Sequence, residues 1–169
     1  PDLPGYGRST SWGHALGIPS LAWALLGILD ALDLERVVLV GNSMGGPVCL
    51  EVAHSAPERV AGAVLASPAG GVHNQPLARA LLQLARDAPR ENPRMVRVVL
   101  PDYLHFGPVN ALQLFGELVR FPSLERVLRT PVPTLAVIGS RDPLMPPSWR
   151  VQELGRLAPG ERVLDLGSG

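Results

Sequence analysis

The residue with the clearest chemical potential is Ser43, set in Gly41-Asn42-Ser43-Met44-Gly45-Gly46. A serine hydroxyl is a weak nucleophile until a neighbouring base takes its proton. Here the serine follows the apolar β-branched run Val37–Val40 and precedes a helical pattern over residues 44–56. A strand that enters a sharp turn and leaves as a helix lifts the serine hydroxyl above the sheet edge. Residues two before and two after the serine then approach closely, so Gly41 and Gly45 are expected to avoid a collision of side chains. The new helix points its N-terminus at the serine, which makes the Met44 backbone N–H a candidate oxyanion donor. Pro47 falls in the first helical turn, where its missing N–H costs nothing. A glycine-rich turn can also bind phosphate, but this one has neither the P-loop nor the G-x-G-x-x-G spacing.

The elements that must position Ser43 are legible around it. Residues 1–11 are turn-rich and read as a loop. Leu21, Leu25, Ile28, Leu29 and Leu32 have helical spacing over 20–32, with Ser20 as the expected N-cap. Val37–Val40 is expected to be a strand covered on both faces. Ala61–Ala66, Leu135–Ile138 and Arg162–Leu166 read as three further strands, and Glu153–Leu157 lies in a predicted helix. Strands alternating with helices predict an α/β fold with a mostly parallel sheet flanked by helices. Residues 72–128 break the rhythm with helical segments around 76–86, 93–100 and 109–119, which predicts a helical insertion. Asp142 lies just past the third strand, where open parallel sheets place their chemistry. Asp-Pro is also a common turn pair, so a turn role for Asp142 stays open on these residues alone.

The bulk properties exclude other classes. The 169 residues suit one domain, with net charge +0 and hydrophobic content of 46%. A neutral chain recruits neither nucleic acid nor an anionic membrane. All fifteen basic residues are arginine, which reads as codon bias. Cys49 stands alone and reads as a small core residue, so no disulfide and no oxidising compartment are required. The most apolar run, Leu21–Leu29, is far short of the ~20 residues of a membrane span. No signal peptide is visible, and the expected location is cytoplasmic. His14, His54, His73 and His105 are scattered without metal-ligand spacing, so neither metal nor cofactor is expected.

Four motifs in order resemble the α/β-hydrolase superfamily over nearly the whole chain. They are D-L-P-G-Y-G-R-S at 2–9, V-V-L-V-G-N-S-M-G-G at 37–46, A-P-E-R-V at 56–60 and V-P-T-L-A-V-I-G-S-R-D-P-L-M-P at 132–146. The resemblance implies that Ser43 is the nucleophile, that Asp142 is the acid orienting a histidine, and that 72–128 is a cap shaping the substrate pocket. The triad of that fold runs in the order Ser, acid, His. All four histidines precede Asp142, so the base is expected a few residues beyond Gly169. The early strands and a second oxyanion loop are expected before Pro1. On that reading 1–169 is a partial hydrolase core that hydrolyses activated esters slowly or not at all by itself. The implied substrate is a small apolar or aromatic carbonyl compound, an ester or a ketone whose C–C bond is cleaved. Tyr103, Leu104, Phe106, Leu112 and Phe115 are pocket candidates, or simply the cap's own core. Two alternatives remain: a non-catalytic binding module or inactive fragment of the same fold, and a methyltransferase fusion. The latter rests on G-E-R-V-L-D-L-G-S-G at 160–169, which resembles the first motif of S-adenosylmethionine-dependent methyltransferases through Asp165, Gly167 and Gly169.

Overall fold

The computed structural model describes residues 1–9, 15–69, 82, 107–138 and 162–165. Four strands, β1 (Val37–Asn42), β2 (Val60–Ala66), β3 (Thr134–Ile138) and β4 (Arg162–Asp165), form one sheet in the order β1-β2-β3-β4. Every neighbouring pair is parallel. Parallel neighbours need crossover connections, and helices lie in the first two of them. Helix α1 (Ile18–Ala31) precedes β1, and α2 (Gly45–Ser55) joins β1 to β2. Helices α3 (Pro108–Arg120) and α4 (Ser123–Arg129) lie between β2 and β3. Asn42 pairs with Ala66, Ala66 with Val137, and Ile138 with Asp165. The carboxyl ends of the strands are therefore in step and make one common edge. The strand of the methyltransferase-like run, Arg162–Asp165, serves here as the fourth strand of that sheet.

The core forms around α2. Its residues Val48, Leu50, Val52 and Ala53 are essentially inaccessible to solvent, and it touches β1, β2, α1 and α4. Leu39, Ala63 and Leu65 face it from the sheet, Leu21, Leu25 and Leu29 belong to α1, and Leu114, Leu118 and Phe121 complete the same cluster. The spacing of the α1 leucines explains which face of that helix is buried. The helix expected around 109–119 is α3. The segments expected around 76–86, 93–100 and 153–157 lie outside the described residues.

Two local expectations are corrected. The first concerns β1, of which the described residues bury one face: Leu39 is buried, whereas Val38 and Val40 are 61% and 73% exposed. Helix α2 covers the Leu39 and Gly41 side, and among the described residues nothing covers the other. The second concerns α1, which starts at Ile18 with Gly17 as N-cap rather than Ser20. Pro19 fits the first turn, and the cap comes from a distant residue: the Ile18 N–H donates to Glu117 Oε2 of α3 at 3.3 Å. No described helix is long and apolar enough to cross a membrane.

Because α2 is enclosed by four elements, its central leucine has little room to be replaced. Leu50→Ala is expected to cost about 2–5 kcal/mol, the range for large-to-small changes at sealed positions. Urea unfolding monitored by circular dichroism checks this. A cost below about 1 kcal/mol, outside that range, would contradict the central place of α2.

Candidate active site

The turn between β1 and α2 is built from backbone contacts. β1 ends at Asn42, and Ser43 follows with φ of 47°. That left-handed conformation costs a non-glycine residue roughly 1–2 kcal/mol. Three backbone hydrogen bonds hold it. The Ser43 N–H donates to the Ala66 carbonyl at 3.0 Å, and the Ser43 carbonyl accepts from the Gly46 N–H at 3.0 Å and the Ala69 N–H at 2.9 Å. Each contributes about 1 kcal/mol net, so together they offset the strain. Ser43 itself is exposed at the carboxyl edge of the sheet, where open parallel sheets present reactive groups.

Steric demand falls on particular glycines. A Cβ on Gly41 would land on the Gly45 carbonyl and 2.8 Å from Cys49 Sγ. At Gly45 a Cβ would meet nothing within 4 Å. The collision expected of both glycines is thus a demand on Gly41 alone, with the Gly45 backbone as the obstacle. Gly46 carries a demand that the spacing argument missed, since its Cβ would lie 2.5 Å from the Pro68 side chain. Ser67-Pro68-Ala69, just past β2, is the neighbour that sequence reasoning overlooked. Ser67 also has positive φ, 39°, and its N–H donates to the Val137 carbonyl of β3 at 2.8 Å. The second glycine of Gly45-Gly46 and the Ser-Pro pair after a strand were the available signals.

Met44 is the N-cap of α2, and no side chain caps that helix end. The first-turn N–H groups, with the positive end of the helix dipole, therefore stand beside Ser43. Cys49 is buried beneath the turn, and burial pushes its thiol up to about 11. A thiol so protonated is no nucleophile at neutral pH. His54 is exposed in the last turn of α2, on the face away from the core. Asp142, His14, His73, His105, Tyr103, Leu104, Phe106, Gly167 and Gly169 lie outside the described residues. Phe115 is half-buried and Leu112 exposed on α3. Among the described residues no group of three His, Cys, Asp or Glu gathers to hold a metal.

A model of the alpha/beta hydrolase fold family matches residues 1–102. A dihydrolipoyllysine-residue acetyltransferase component of an acetoin cleaving system from Pseudomonas putida is 33% identical over 129 residues, which cover 75% of this chain and 33% of that protein. A 2-hydroxy-6-oxo-2,4-heptadienoate hydrolase from Pseudomonas putida is 46% identical over 71 residues, covering 41% of this chain and 26% of that protein. The solved structure of a thermophilic esterase from Thermogutta terrifontis superposes with a TM-score of 0.75 at 20% identity, covering 99% of this chain and 70% of that one. The chain thus spans about a third or less of the two curated relatives named.

The glycine geometry predicts an asymmetry. Gly41→Ala is expected to lose at least about 2 kcal/mol, because backbone must move to admit the methyl group. Gly45→Ala, in open space at a helix start, should stay within about 0.5 kcal/mol of the parent. Equal losses in thermal unfolding would contradict this geometry. A second expectation concerns Cys49. With a native value about 11, above the ordinary ~8.5, iodoacetamide at pH 8 should modify it only after denaturation. Stability from the neutral thiol is fully present below ~8.5 and is lost as pH rises through 11, so Cys49→Ala should flatten the alkaline limb of a stability–pH curve.

Proposed function

The chain belongs to the alpha/beta hydrolase fold family, and on that premise we propose that Ser43 is the nucleophile of a serine hydrolase acting on small-molecule carbonyl compounds. The observation that carries this reading is the conformation of Ser43: an exposed, left-handed serine at the carboxyl edge of a parallel sheet, facing an uncapped helix N-terminus. Strain of this kind persists where the surroundings over-determine it, and it clusters at reactive positions.

In the proposed mechanism Ser43 Oγ attacks the carbonyl carbon. A histidine C-terminal to Gly169, oriented by Asp142, takes the hydroxyl proton and returns it to the leaving group. The Met44 N–H and a second N–H from residues preceding Pro1 hold the developing oxyanion. Water then attacks the acyl-serine and releases the acid. Segment 72–128 is proposed as a cap over the substrate. The proposed substrate is an apolar or aromatic carbonyl compound. A second reading, in which the bond broken is C–C, is favoured by the 46% identity over 71 residues to the dienoate hydrolase. In that case the carbonyl attacked is a ketone and the leaving group is a carbon acid.

The test uses the full-length protein with p-nitrophenyl butyrate and, separately, a 2-hydroxy-6-oxo-dienoate followed by loss of its visible absorbance. Ser43→Ala is expected to lower kcat by about a thousandfold or more, and Asp142→Asn by at least about a hundredfold. Preference for the dienoate selects the C–C reading. Wild-type turnover in Ser43→Ala would sink the assignment, and binding without turnover of either compound would favour a non-catalytic module.

A further inference from the structure

Helix α4 grips the Ser43 turn from outside the motif that defines it. Its first residue, Ser123, is only 6% exposed. The Ser123 hydroxyl donates to the Ala69 carbonyl at 2.9 Å. On the other side of the same residue, the Ala69 N–H donates to the Ser43 carbonyl at 2.9 Å. One peptide segment thus connects a buried side chain on α4 to the strained backbone of Ser43. Pro68, packed on Gly46, fixes the same segment against the start of α2.

A second attachment keeps α4 in place. Arg126, one turn along, sets its guanidinium NH2 3.0 Å from Glu51 Oε2 and 3.4 Å from Oε1. Glu51 sits on α2 and is 8% exposed, so this pair is largely shielded from water. A shielded charge pair holds its geometry more strictly than an exposed one. Ser55 Oγ also reaches Glu51 Oε1 at 3.5 Å. Helix α4 is therefore pinned to the helix behind Ser43 through Arg126 and to the loop beside Ser43 through Ser123.

We propose that Ser123 is a positioning residue for Ser43, acting through Ala69, with the Arg126–Glu51 pair holding α4 in register for that contact. The proposal rests on the reading of Ser43 as nucleophile. Without the Ser123 hydroxyl the part-buried Ala69 carbonyl loses that donor. The Ala69 segment then loosens, and one of two hydrogen bonds on the Ser43 carbonyl goes with it. The hydroxyl of Ser43 would wander by a fraction of an ångström, which affects the chemical step more than substrate binding.

The experiment compares Ser123→Ala, Ser123→Thr and Arg126→Gln with the parent in the full-length protein. Amide hydrogen exchange is read at Ala69 and Gly46, the two donors to the Ser43 carbonyl, with Leu50 in α2 as internal control. Ester turnover is read as kcat and KM separately. Ser123→Ala should speed exchange at Ala69 and Gly46 about tenfold and leave Leu50 unchanged. It should lower kcat about tenfold with KM within about twofold, and Ser123→Thr should restore both. Arg126→Gln should move the same readouts in the same direction by less, and it decides the matter if Ser123→Ala does not fold. Unchanged exchange at Ala69 overturns the proposal whatever the activity, and so does faster exchange with unchanged kcat. A parent protein that shows no Ser43-dependent turnover contradicts the nucleophile reading instead, and the exchange data then judge the brace alone.

Discussion

The carbonyl of Gly45 occupies the space where a side chain on residue 41 would stand, and much of the structure follows from that close approach. For strand and helix to come so near, the intervening residue must reverse the chain in a left-handed turn, and that residue is Ser43. The strain is local, but its support is not. Ala66 and Ala69 belong to the end of β2 and the loop beyond it, so the turn keeps its shape only if the first two strands are paired in register. The parallel pairing of Asn42 with Ala66 is therefore a condition for the serine geometry as well as part of the sheet.

That dependence extends outward in layers. Helix α2 begins at the turn and is enclosed by the sheet, α1 and α4. Its burial fixes the direction of its N-terminal N–H groups, and those are the groups that can stabilise charge near Ser43. Helix α1 is tied in turn to α3 by Asn110, whose Oδ1 accepts from the Ala15 N–H at 3.2 Å, and by Glu117 at the α1 start. Arg59, after α2, donates to the carbonyls of Leu34 and Glu35 and pairs with Asp30 at 2.7 Å. This last pair is solvent-exposed and contributes little energy, but it joins the end of α1 to the start of β2.

Much of this was legible in the residues. Apolar runs marked all four strands, and the leucine spacing marked α1, because burial imposes those patterns directly. G-x-S-x-G between a strand and a helix located the turn. What escaped were contacts between residues distant in sequence. The cap of α1 comes from Glu117, and no local pattern near Gly17 announces it. Gly46 is small because of Pro68, on another connection. Among the described residues Val38 and Val40 are exposed, and a β-branched run looks the same whether one face or both are covered. The division of labour between Gly41 and Gly45 could not be read from spacing, which treats the two alike.

The central claim is that Ser43 Oγ, and no other side chain, is the group that attacks carbonyl carbon. Its most direct measurement is peptide mass spectrometry of the full-length protein after reaction with a fluorophosphonate. A single phosphonyl adduct on the peptide containing Ser43, absent after prior denaturation, is the predicted result. An unmodified Ser43 peptide, or an adduct on a different residue of the native protein, would contradict it.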